Sequence, residues 1–208
     1  KRCQQITPRH NFIILLGDRY GWCPPPPQIP AEEFEVILKS IPPKKQSILE
    51  NWYLRDDNAV PAEYILQPRE EHSDEEWGDI ERELHTILVR GANTVGLEKS
   101  AAFKYWSSAT HQEIAAGALS EDAEPEGVFA FIRTIKDLPE GDLARDYLDF
   151  TLDGSRDVEA ASHLNALKSK LDEVLGANVK RYQTVWDANE PQLEYLDQLC
   201  DDMLQALS

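Results

Sequence analysis

At 208 residues with 41% hydrophobic content, the chain can bury a core in one or two domains, and no apolar run approaches the roughly 18 residues that cross a membrane. Lys and Arg number 21 against 38 Asp and Glu, a net charge of −17, opposite in sign to what a nucleic-acid duplex or an anionic membrane surface attracts. Neither nucleic acid nor membrane is therefore expected as a partner. The charge is uneven: residues 137 to 208 hold 16 acidic and 6 basic side chains, net −10, whereas residues 1 to 23 hold four basic and one acidic, net +3. The acidic half reads as a solubilising surface.

Cys3, Cys23 and Cys200 are widely spaced and form neither a CxxC pair nor a His-rich ligand cluster. A disulfide framework and a metal site are not expected, and free thiols suit a cytoplasmic location. A nucleophilic Cys23 lacks a base, since His10 precedes the first predicted strand and four prolines follow Cys23. The chain opens on Lys1 rather than Met and ends on a helix without a cap, so further polypeptide is expected on both sides.

In chain order, Phe12 to Leu16 is a continuous apolar run, predicted as a strand buried on both faces. Gly17-Asp18-Arg19-Tyr20-Gly21 breaks it into a polar turn, and Pro24 to Pro27 form a stiff extended arm. Helices are predicted at Ala31–Ser40, where Phe34, Ile37, Leu38 and Ile41 share one face, and at Pro43–Arg55. Residues 56 to 73 read as a loop with a short extended piece at Tyr64–Gln67. Ser73-Asp74-Glu75-Glu76 is a capping box that opens a helix running to about Gly91. Residues 24 to 105 thus form a helical insertion between a strand and its helix, placed to act as a lid over the strand ends.

Ser108 to Glu113 opens a further helix ending near Leu119, with Thr110 as N-cap and Glu113 three residues on, and Val128–Ile132 is a second buried strand. A polar connector at 134–156 carries a short helix at Leu143–Phe150. A long helix follows at Val158–Leu175, closed by Gly176, then a strand at Val179–Trp186 and a last helix bearing Leu193, Leu196, Leu199, Met203 and Leu207. The fold class is α/β: a partial flavodoxin-like or TIR-like parallel sheet with a large helical insertion and a helical C-terminal extension. The division is residues 1–135 for the α/β domain, with 24–105 as its insertion, and 136–208 for an acidic, mainly helical extension.

The strand tip and the helix start read as two halves of one pocket, because ligands in open α/β sheets bind beyond the carboxyl ends of strands. Glu113 has two readings: a capping carboxylate only, or a carboxylate aimed into the cleft, where it would stabilise an oxocarbenium-like sugar or contact a ribose hydroxyl. Asp18 and Arg19 either bind ribose or phosphate or form a solvated ion pair. Tyr20 and Trp22 either stack on a base or close the core. His111 is expected to face solvent.

The stretches FIILLGDRYGW, SATHQEIAAGAL and VFAFI resemble the TIR-like domain of unknown function that precedes NACHT-type NTPase modules in WD-repeat and TPR proteins. The resemblance rests on Gly17, Asp18, Arg19, Tyr20, Gly21 and Trp22, then on Ser108, Thr110 and Glu113. It implies an effector or adaptor module of a STAND-type signalling or antiphage-defence NTPase, with the adjoining NTPase and repeat domains as partners and self-association on activation. It also implies, through the similarity of that family to TIR domains and nucleoside deoxyribosyltransferases, an alternative: an N-glycosidase acting on NAD or another nucleotide. In that case Glu113 is the catalytic carboxylate, and Asp18, Arg19, Tyr20, Trp22, Ser108 and Thr110 are the ligand-binding residues. No tightly bound cofactor is implied.

Overall fold

The computed structural model describes residues 12–69, 72–120, 123, 125–139, 141–151 and 153–208. Cys3 and His10 lie outside them. The chain divides into two compact units: residues 22–109, and a second unit built from residues 1–21 together with 110–208.

The second unit is built on a parallel sheet. Strand β1 (Phe12–Leu16) pairs in parallel with β5 (Val128–Lys136), Phe12 beside Val128 and Leu16 beside Ile132. Strand β5 pairs in parallel with β6 (Val179–Asp187), and the two-residue β7 (Glu190–Pro191) closes the far edge antiparallel to β6, giving the order β1-β5-β6-β7. The two apolar runs of the sequence are therefore neighbouring parallel strands, and the α/β class holds. Residues 136–208 do not stand apart from this sheet, because β6 is one of its strands.

Helix α5 (Ala109–Gly117) and helix α6 (Val158–Leu175) belong to the core of one sheet face: Ile114, Leu167, Leu171 and Leu175 join Ile14, Leu16, Val128, Ala130 and Ile132. The period of 3.6 on α6 meets the period of two on the strands, so each element contributes a single apolar side. Helix α6 begins where Asp157 accepts the Ala160 N–H at 2.9 Å and ends at Gly176, whose φ of +51° is a conformation that suits glycine. On the opposite face α7 (Tyr195–Leu207) lies against β6, where the Tyr182 hydroxyl donates to Asp202 at 2.7 Å.

Strand β1 is not buried on both faces: Ile14 and Leu16 are in the core, but Leu15 is 61% exposed and Ile13 lies at the surface. The strand sits at the sheet edge, and α5 and α6 cover only the face that its even-numbered residues share.

The unit of residues 22–109 contains helices α1 (Ala31–Ser40), α2 (Pro43–Trp52), α3 (Asp74–Val95) and α4 (Lys99–Trp106). It is not wholly helical. Strands β2 (Gln28–Pro30), β3 (Tyr53–Asp56) and β4 (Glu63–Leu66) form an antiparallel sheet in the order β2-β4-β3. The helix predicted to Arg55 ends at Trp52 because Tyr53 is drawn into this sheet, its ring buried on Phe34 and its hydroxyl donating to the Pro26 carbonyl at 2.7 Å. The core holds Ile29, Phe34, Ile37, Leu49, Leu84, Leu88 and Tyr105. The Ser73 capping box forms as the sequence predicts, with Glu76 N–H donating to Ser73 Oγ at 3.2 Å and Ser73 N–H to Glu76 Oε2 at 2.9 Å. Among the described residues no helix is long and apolar enough to cross a membrane.

Candidate functional site

The residues that follow β1 are held by one carboxylate from the connector. Asp149 accepts the backbone N–H of Tyr20 at 2.5 Å and that of Gly21 at 3.2 Å, and Arg19 Nε lies 3.3 Å from the same group. Gly21 has φ +91°, a left-handed conformation in which any side chain is strained, so the chain turns directly after the two amides that Asp149 holds. The Asp149 carbonyl in turn accepts the N–H of Asp157, the cap of α6. One residue therefore ties the β1 tip to the start of α6.

Tyr20 is 4% exposed and sits between two histidines. Its hydroxyl lies 2.7 Å from His111 Nδ1 on α5, and its ring stacks on His163 of α6 at a centroid distance of 5.6 Å. Burial, and then the neighbouring His163, push the His111 pKa down to about 4. At neutral pH His111 is uncharged. His163 is also 3.8 Å from Glu159, one helical turn earlier.

Asp18 points the other way. Its Oδ2 accepts the Ile135 N–H at 2.8 Å, and its Oδ1 lies 3.7 Å from Lys168 Nζ, both side chains being largely buried. Burial lowers the Lys168 pKa, and Asp18 acts against that shift. The pair borders an open cleft of about 1010 Å³ at the carboxyl end of β5, with Thr134, Arg156, Asn165 and Arg181 also on its wall. Two carboxylates, Asp18 and Asp137, share the wall with these three cations, and Lys168 is paired with Asp18 and Arg181 with Asp172, so the lining is polar and of mixed charge. Among the described residues no group of three or more His, Cys, Asp or Glu side chains is placed to hold a metal ion.

The structure thus brings Asp18, Arg19 and Tyr20 into one unit with α5, but it divides their tasks. Arg19 is in the ion pair with Asp149, Tyr20 is in the core between two helices, and Asp18 alone of the three borders the cleft. Glu113 is exposed and is not on the cleft wall. His111 and Glu113 are two residues apart on α5, and positions at i and i+2 face different sides of a helix, so Glu113 is turned away from the Tyr20 contact. Two expectations change with the helix start. Helix α5 begins at Ala109, so Thr110 is the second helical residue and exposed rather than the N-cap; Ser108, an equally good capping residue type, stands just before the helix and is buried. The same shift turns His111 from solvent to the interior. Trp22 belongs to the other unit, where the residue is 57% exposed and its indole N–H donates to Glu81 of α3 at 2.8 Å.

Sequence reasoning missed Asp149, His163 and Lys168. Asp149 lies 129 residues from Tyr20 and carries no local signal. Lys168 had one: a lysine in phase with Leu164, Leu167 and Leu171 on the apolar side of α6.

The chain is similar to NACHT domain- and WD repeat-containing protein 1 of Mus musculus, at 29% identity over 219 residues that cover 98% of this chain and 14% of the relative. The Homo sapiens protein of that name is 29% identical over 194 residues, 89% of this chain and 12% of its own. NACHT and WD repeat domain-containing protein 2 of Mus musculus is 32% identical over 134 residues, 54% of this chain and 8% of its own. No family model and no solved structure matches. The chain spans 14% or less of the length of these relatives. Over nearly its whole length it is similar to one segment of NACHT and WD repeat proteins.

Proposed function

We propose that this chain is a TIR-like effector or adaptor module of a NACHT-type STAND signalling or defence NTPase, working through contact with the NTPase and repeat domains of the same polypeptide and through self-association. The observation that carries the reading is the extent of the similarity: 98% of the chain aligns with a single 14% stretch of a NACHT and WD repeat protein. The parallel pairing of β1 with β5, with α5 packed on them, supports the TIR-like part, since it is the strand and helix order that the resemblance implies. Light scattering of the full chain, alone and mixed with the NACHT region of the mouse relative, tests it. A stable complex, or a higher oligomer in the mixture, is expected. A monomer whose elution the NACHT region leaves unchanged refutes it.

A second reading is cleavage of the N-glycosidic bond of NAD or another nucleotide with Glu113 as the carboxylate. The polar cleft is what favours it, since Arg156 borders it beside Lys168 and Arg181, which are paired with Asp18 and Asp172 and would have to exchange those partners for a phosphate. The exposed position of Glu113 weighs against that residue. Nicotinamide release from NAD by the full chain, lost in Glu113→Gln, is the result this reading requires; no release at any protein concentration removes it.

A further inference from the structure

Helix α7 is 13 residues long and has no fully buried residue, although a helix this short is marginal in water without packing. One side does touch the sheet: Tyr195, Leu199, Asp202 and Ala206 are half-buried, and Tyr182 of β6 meets both Asp202 and Tyr195. A second apolar stripe stands beside it. Leu196, Cys200, Met203 and Leu207 recur at intervals of four, three and four residues, the spacing of a coiled-coil seam, and Leu193 lies two residues before the helix. Leu196 and Met203 on the inner side of this seam are half-buried, whereas Cys200 and Leu207 are exposed, Leu207 at 47%, with Leu204 beside them at 66%.

The charge around the stripe selects its occupant. At about 100° of turn per residue, Glu194, Asp197 and Asp201 fall together along the solvent side of the seam. From Asp187 to Ser208 there are six acidic residues and no Lys or Arg. A second copy of α7 would bring like charges together at the flanking positions, with no cation on either helix to offset them. We infer that the Leu196-Cys200-Met203-Leu207 seam, with Leu204 at its edge, docks a basic amphipathic helix, whose apolar residues cover these side chains and whose Lys or Arg side chains pair with Glu194, Asp197 and Asp201.

The test uses the full 208-residue chain and a fluorescein-labelled helical peptide of about three heptads, with Leu at the seam positions and Lys beside them. Fluorescence anisotropy should show saturable binding that weakens as salt rises to about 0.5 M, because flanking ion pairs are screened. Hydrogen-exchange protection should appear in α7. The variant Leu204→Gln/Leu207→Gln, which changes exposed positions and leaves the charge untouched, should weaken binding by about tenfold or more, as removal of buried leucines demands. A peptide with Glu in place of Lys should not bind. Equal binding of the Lys peptide by the double variant, binding of the Glu peptide, or a chain dimer that the double variant abolishes would each overturn the inference. The last of these would assign the seam to a second copy.

Discussion

Replacing Asp149 with Ala removes the acceptor of two backbone N–H groups and one arginine at once. The Tyr20 amide belongs to a residue that is 4% exposed, so it loses its partner where water does not readily replace it, at a cost of roughly 1–3 kcal/mol. The Gly21 amide, half-buried, adds about 0.5–1 kcal/mol by the same reasoning. The Arg19 side chain is 51% exposed, and its ion pair adds little. Together the loss should be about 2–4 kcal/mol, and Asp149→Asn, which keeps one acceptor oxygen, should lose roughly half of that. Urea unfolding by circular dichroism gives the global value. Hydrogen exchange at Tyr20 and Gly21 localises it, which tryptophan fluorescence does not, since four of the five Trp (22, 52, 77 and 106) lie in the unit of residues 22–109. A loss below about 0.5 kcal/mol for Asp149→Ala, with unchanged exchange at the two amides, would show that the tip is held by contacts other than Asp149.

His111 sets a pH dependence whose sign follows from its lowered pKa. The unfolded histidine titrates near 6.5 and the folded one near 4, so its contribution is complete above about pH 6.5 and is lost as pH falls toward 4; because the ring is only about half buried, solvent screening holds the loss to roughly 1–2 kcal/mol. His111→Gln should flatten the stability profile in that window; an unchanged slope would assign the acid sensitivity to other groups. Gly117→Ala brings a Cβ within 2.4 Å of the Phe12 ring and should cost about 1–3 kcal/mol in thermal or urea unfolding, whereas Gly78→Ala, with open space around it, should not destabilise. Ser73→Ala removes the N-cap of α3 and should cost about 1 kcal/mol with faster exchange of the Glu76 amide, while Ser73→Asp should restore both. Glu113→Gln, at an exposed site, should leave the unfolding midpoint unchanged, and a fall of several degrees would reveal a structural contact.

Local chemistry made much of the fold legible. The apolar runs at Phe12 and Val128, the Ser73 capping box and the Val158–Leu175 helix closed by Gly176 are each written in contiguous residues, and each forms. The start of α5 was less legible because Ser107, Ser108 and Thr110 are all good capping types, and a shift of two residues turns His111 inward and leaves Thr110 exposed. Strand β3 was hidden for a similar reason: Tyr53 and Leu54 suit a helix face as well as a strand, and only the pairing with Ile65 and Leu66 decides.

The α/β class, most of the helices, the acidic surface and the polar tip after β1 are all legible in local sequence, because they depend on spacing and residue type within one turn or one strand. Tertiary structure alone decided what the tip does. The carboxylate that holds it lies 129 residues away, the histidines that enclose Tyr20 come from two different helices, and Lys168 meets Asp18 only when α6 packs on the sheet. Contacts at such separations are fixed by packing: no periodic trace marks Asp18 or Asp149, and the helical phase of Lys168 shows that it faces inward but not which group it meets.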